Sequence, residues 1–231
     1  MVAVGIDACK VGWVAVVLRP GHPVAAHLLA SIDDLTRMVP DATTVGIDIP
    51  IGLLAAGWRT ADVEAKKLLG KRGSSVFLTP VRSALQAATH AEASRISRDA
   101  TGGGISQQAF GLSAKILEVD AWLGSAARPW CTVCTVCEVH PEVSFAEMLG
   151  HPASASKKTW QGMVERRAAL TAAGILLDDV DQTVGARVGT DDMLDAAAVA
   201  WSAQRLADGT ARSIPEHPQV SDNGRPIAIW V

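Results

Sequence analysis

Apolar residues fall in short, β-rich runs near the start of the chain and at three- and four-residue spacing further on. Residues 2–7, 12–18 and 24–29 are three such runs, separated by Lys10-Val-Gly12 and by the turn-forming Arg19-Pro-Gly-His-Pro23, and they predict an antiparallel three-stranded meander. Ser31 is placed to cap a short helix through Val39, with Asp33 and Asp34 in its first turn, where the helix dipole favours anions. Residues 43–48 predict a fourth strand. From Arg59 to about Trp122 the spacing becomes helical over residues 61–69, 83–97 and 105–123, with Gly102-Gly-Gly104 as a break. Residues 132–139 predict a fifth strand, 143–149 and 158–173 further helices, and Thr190 or Asp191 caps a closing helix to about Ala207. The tail, residues 227–230, adds an edge strand.

This order predicts a single α/β domain over residues 1–231. Its mixed five-stranded sheet would have three antiparallel strands followed by parallel ones, helices on both faces and a helical insertion at about 55–130. Hydrophobic residues make up 48% and charged residues 19% of the chain, which excludes disorder as the main state. The longest apolar runs, such as 196–201, fall far short of the roughly 20 residues of a membrane-spanning helix, and no basic segment followed by an apolar stretch opens the chain. A soluble, cytoplasmic protein is therefore expected. Against 21 Lys and Arg stand 24 Asp and Glu, so nucleic acid would have to be held by a local basic patch and not by a global field. The chain has no Tyr, which removes that residue from every catalytic role. Cys131, Cys134 and Cys137 have a metal-like spacing. In a strand, however, Cys at spacing three point to opposite faces, and reduced thiols are expected.

The acids carry the chemistry. Two predicted strands end in the same Gly-Ile-Asp tripeptide, at Asp7 and Asp48, and in an open α/β sheet the site lies beyond the carboxyl ends of the strands. Either Asp alone is also a common turn former. In the closing helix, Asp191 and Asp192 fall in the first turn, where anions are stabilised without any function. Asp195 lies deeper, before an apolar run, where a carboxylate is costly unless paired or metal-bound, and it shares a face with Asp192. Asp7, Asp48 and Asp195 as ligands, with Asp192 as a fourth carboxylate, form an all-oxygen set that suits Mg²⁺ or Mn²⁺ better than Zn²⁺. Two such ions about 4 Å apart would serve phosphodiester hydrolysis. In Glu138-Val-His-Pro-Glu142, Glu142 reads as a further ligand and His140 as a general acid or base; the same residues read equally as a helix start with Pro141 in its first turn. Arg59, Arg72 and Arg82, near Lys66, Lys67 and Lys71, and Lys157-Lys158 with Arg166-Arg167, are the basic stretches suited to phosphate. Arg59, Arg72, Arg82 and Lys158 are the leading substrate contacts, although such runs also occur as solvated helix faces.

Four segments carry a resemblance: Gly5-Ile-Asp-Ala-Cys-Lys-Val-Gly-Trp13, Ile47-Asp-Ile-Pro-Ile-Gly-Leu53, Glu138-Val-His-Pro-Glu142 and Asp192-Met-Leu-Asp-Ala196. They resemble the family called domain of unknown function 429, which implies a ribonuclease H-like nuclease. A more distant similarity to Holliday-junction resolvases of the RuvC type implies metal-ligating roles for Asp7, Asp192 and Asp195. Their fourth-strand Glu falls on Asp48, a shorter side chain. The resemblance thus implies a divalent-metal-dependent nuclease with RNA or DNA as partner. A non-catalytic module that binds a small ligand or a partner protein through its acidic edge is the alternative. Actin-like ATPases also open with Gly-Ile-Asp, but they need two such domains, more than 231 residues with one strand set supply.

Overall fold

A computed structural model of the protein describes residues 1–124 and 134–231. In chain order its strands and helices are β1 (Ala3–Cys9), β2 (Gly12–Leu18), β3 (Ala25–Leu29), α1 (Leu35–Met38), β4 (Thr44–Ile47), α2 (Thr60–Leu69), α3 (Arg82–Leu85), α4 (His90–Thr101), α5 (Gln107–Gly111) and α6 (Ser113–Gly124). They continue with β5 (Thr135–Glu138), α7 (Pro141–Leu149), α8 (Trp160–Ala172), α9 (Gln182–Gly185), α10 (Thr190–Ala207), β6 (Ser213–Val220) and β7 (Pro226–Trp230). The fold is mixed α/β. It divides into two compact units, one of Met1–Asp48, Ala126–Arg212 and Trp230–Val231, the other of Ile49–Ser125 and Ser213–Ile229.

In the first unit the strand order is β3-β2-β1-β4-β5. The first three strands are antiparallel, and β4 and β5 continue the sheet in parallel, as the run-and-turn pattern predicts. The interior strand β2 is buried along nearly its whole length, which explains why it reads as one continuous apolar run and not as an alternation. Helix α10 packs on β1, β2 and β4, with α7 and α8 against it. Its buried face is mostly small, with Ala196, Ala197, Ala200 and Ala203, so its backbone can approach the sheet closely. Gly189 takes the cap position of α10 in place of Thr190 or Asp191. Val14, Val16, Leu18, Phe145, Leu170 and Leu194 complete that core.

The second unit holds α2 to α6 with β6 and most of β7. Helix α2 packs on β6, and Thr60 N donates to Gln219 Oε1 at 3.1 Å. The helix predicted over 83–97 breaks into α3 and α4. Thr89 caps α4 by accepting from Glu92 N, and Ser106 similarly caps α5 within the stretch predicted as a single helix over 105–123. Among the described residues there are seven strands, so five strands and a tail strand fall one short. The missing one is β6, whose Pro215 and Pro218 hide it; proline lacks the N–H a central strand needs and is tolerated where β6 lies, at the end of the strand order beside β7. Residues 132 and 133 of the predicted fifth strand, and Cys131 before it, lie outside the described residues. Among the described residues no helix is long and apolar enough to cross a membrane.

Candidate metal centre

Side chains alternate along a strand, so Gly5 and Asp7 lie on the same face of β1. The parallel register pairs Gly5 with Gly46 and Ile6 with Ile47, and Asp48 N continues the ladder by donating to Ile6 O at 2.8 Å. Asp7 and Asp48 are thereby set side by side. Asp48 follows the end of β4, whereas β1 runs two residues past Asp7, which sits inside the strand and not at its end. The glycines decide where the third acid goes. A Cβ on Gly5 would stand 2.0 Å from Ala200 N and 2.2 Å from Ala196 O, backbone atoms of α10. The absent side chain therefore admits the helix onto the strand, and the helix brings Asp195, the residue before Ala196, to the two strand carboxylates. In Gly-Ile-Asp the glycine seats the helix and the aspartate faces what the helix carries.

Oxygens of Asp7, Asp48 and Asp195 all lie within 4.8 Å of one another. Asp7 and Asp195 are buried, the latter 1% exposed, and Asp48 is half-buried. Among the described residues one cation faces them: Lys157 Nζ donates to Asp195 Oδ2. The other oxygen, Asp195 Oδ1, is buried with no hydrogen-bond partner among the described residues. Burial pushes the Asp48 carboxyl up to about 7, with Lys157 opposing and Glu142 adding to the rise. Burial likewise lifts Asp195 to about 6 against the pull of Lys157. Asp7 is raised well above the carboxylate range by burial and then by Asp48 and Asp195. Burial alone would lower Lys157, but Asp195, Asp48 and Asp7 together hold it above an ordinary lysine. Opposite ligands of a Mg²⁺ octahedron stand about 4.2 Å apart, so small side-chain shifts suffice to close three oxygens around an ion. The arrangement is a buried acidic cluster consistent with a divalent-cation site.

The profile of the family described as "Protein of unknown function (DUF429)" matches residues 5–220. The chain belongs to the DUF429 family. No curated protein and no solved structure matches it.

The DUF429 match spans every acid of the cluster and Lys157, and the remaining candidates have distinct placements. Asp192 is half-buried in the first turn of α10, outside the three-acid group but close enough to raise Asp7. Asp191 is paired with Lys158. Glu142 does not join the group: its carboxylate is gripped by Arg166, with Nη2 at 2.6 and 2.7 Å and Nε at 3.0 Å, and both residues are buried. His140 is the N-cap of α7, with Pro141 following in its first turn, the helix-start arrangement. In the second unit Arg59, 1% exposed, is closed off from solvent against Asp62 and Thr79, so a phosphate has no access to it. Arg82 is held by Asp120 at 2.5 Å, and Arg72 is half-buried. Lys66 Nζ is spent on the carbonyls of Gly73 and Val76. Cys137 is a buried thiol, pushed up to about 12 by burial and then by Glu138, which suits an unreactive core residue. The residue that sequence reasoning did not place is Lys157, grouped there with Lys158, Arg166 and Arg167 as a basic stretch suited to phosphate. A signal for it existed in the convergence of several acids with no basic side chain assigned to them.

Proposed function

We propose that the protein is a divalent-metal-dependent phosphodiesterase, a nuclease of ribonuclease H-like fold acting on RNA or DNA. The observation that carries the reading is the carboxylate group of Asp7, Asp48 and Asp195, three oxygens within 4.8 Å, with Asp195 Oδ1 buried and without a hydrogen-bond partner among the described residues. An unpaired carboxylate oxygen in that position is costly unless a cation takes it up. The strand order β3-β2-β1-β4-β5, with a closing helix laid over β1, supports the fold assignment. Asp7, Asp48 and Asp195 would hold Mg²⁺ or Mn²⁺, and a bound ion supplies charge neutralisation and a more acidic water. The chain's own contribution is the prealigned pair of strand carboxylates, the close seating of α10 that brings Asp195 to them and a further carboxylate, Asp192, at the margin.

The test is hydrolysis of RNA, DNA and branched DNA with Mg²⁺ or Mn²⁺ by the wild type and by Asp7→Asn, alongside calorimetric metal titration. The reading expects metal binding and cleavage in the wild type and neither in the variant. If no metal binds and nothing is cut, it fails. A second reading, a non-catalytic binding module, is favoured by the acid partners already held by Arg59, Arg82 and Lys158. Metal uptake with every phosphoester left intact would select it.

A further inference from the structure

We propose that the acid cluster takes a single divalent ion and that the ammonium of Lys157 permanently fills the position of a second cation. This rests on the metal reading above and adds to it the number of ions and the residue that sets it.

Lys157 is presented by a loop fastened on both sides. Before it, Ser154 N and Ala155 N donate to the Glu165 carboxylate at 2.8–3.2 Å, and Ala155 O accepts from Arg166 Nη1 at 3.1 Å. After it, Thr159 Oγ1 donates to Ser156 O at 2.8 Å and accepts from Gly162 N at 3.1 Å, capping α8. Gly162 is required for this seat, because a Cβ there would stand 2.0 Å from Ser156 O. The backbone around Lys157 is thus bolted to the first turns of α8, and the same Arg166 that holds the loop is locked by Glu142. Glu142, with no place in the three-acid group, is accounted for as a positioning residue for the lysine loop.

The ligand inventory and the charges agree with one ion. Three carboxylates facing one ammonium leave two negative charges, which a single divalent ion neutralises. A second ion would leave two positive charges in a buried place, or one when Asp192 is counted, and burying uncompensated charge is costly. A second ion would also have to take the Asp195 oxygen that Lys157 already holds, and Glu142, committed to Arg166, offers no substitute.

The experiment counts Mn²⁺ ions by calorimetry and by electron paramagnetic resonance of unbound Mn²⁺, on the full chain. The expected result is one Mn²⁺ for the wild type and for Lys157→Arg, and two for Lys157→Gln, with circular dichroism melts showing that the variants are folded. Two Mn²⁺ on the wild type would overturn the proposal while leaving the metal reading intact, and this count needs no variant at all. A folded Lys157→Gln that still binds one ion would also overturn it. Absence of Mn²⁺ from all three proteins would remove the metal reading and this inference with it.

Discussion

An aspartate exposed to water titrates near 3.9, whereas Asp195 and Asp48 are pushed by burial to about 6 and about 7. Over that interval the folded chain holds protons that the unfolded chain has released. Stability therefore falls as pH rises from about 4 to 7, the reverse of the usual salt-bridged carboxylate. Urea unfolding in EDTA is expected to give a protein more stable at pH 5 than at pH 8 by on the order of 1–4 kcal/mol, with the slope flattened in Asp48→Asn. Saturating Mn²⁺ should abolish the slope as well, because an ion that binds only the folded state favours the ionised acids. Stability that is flat or rising over that range in EDTA would contradict the placement of these groups. A second prediction concerns Glu142→Ala, which leaves the Arg166 guanidinium buried without its carboxylate and should cost about 3–5 kcal/mol in the same assay. Replacing both partners with apolar residues of similar size should cost less than the single change. The strand acids were legible because a repeated tripeptide and a three-residue spacing are local signals. Arg166 and Lys157 were not, since their partners lie 24 and 38 residues away. Arg166-Arg167 reads as one basic pair, yet successive helical residues point about 100° apart, and one is buried while the other is exposed.

At the level of elements, the site depends on how closely α10 sits on the sheet. Gly5→Ala would drive a Cβ into backbone atoms of Ala200 and Ala196, which cannot rotate away, so the helix must lift and carry Asp195 with it. Gly46→Ala meets mainly the Val199 and Val139 side chains, at 2.9 and 3.0 Å, which have more freedom to adjust. Gly5→Ala is accordingly expected to destabilise by more than the about 1–3 kcal/mol typical of overpacking and to abolish Mn²⁺ binding, whereas Gly46→Ala should stay within that range and keep a measurable affinity. Thermal melts and Mn²⁺ calorimetry on the two variants make the comparison, and equal losses would mean that close helix approach is not what sets the cluster. Sequence reasoning found the strand meander, both parallel strands and the closing helix, because their apolar patterns are strong over whole elements. It lost β6 to two prolines, and it merged α3 with α4 because a helical spacing persists across a break that only the Thr89 cap marks. It read the aspartates of Gly-Ile-Asp and passed over the glycines, whose meaning appears only when a helix lies against them.

For the molecule as a whole, charge is unevenly distributed. The unit with the acid cluster carries 16 of the 24 acids and 11 of the 21 basic residues, and the other unit carries the remaining 8 and 10. That imbalance narrows what a polyanion can grip. Of the basic residues suited to phosphate, Arg59 is buried, Arg82 and Lys158 have acid partners and Lys66 is held by carbonyls, whereas in the second unit Lys67 and Lys71 are exposed and Arg72 is half-buried. About three phosphate contacts on a single strand give a log–log salt slope near −2, so affinity should fall by about 20-fold or less between 50 and 200 mM salt. Fluorescence polarisation of a labelled single-stranded oligonucleotide with the wild type in Ca²⁺, with the oligonucleotide checked for intactness afterwards, measures it directly. A loss of about 1,000-fold or more over that range would require many more phosphate contacts than these residues offer and would move the nucleic-acid surface elsewhere. A shallow slope instead fits a protein that recognises a short phosphoester segment at its acid cluster, with its specificity set by the ion and Lys157 and not by a long electrostatic track.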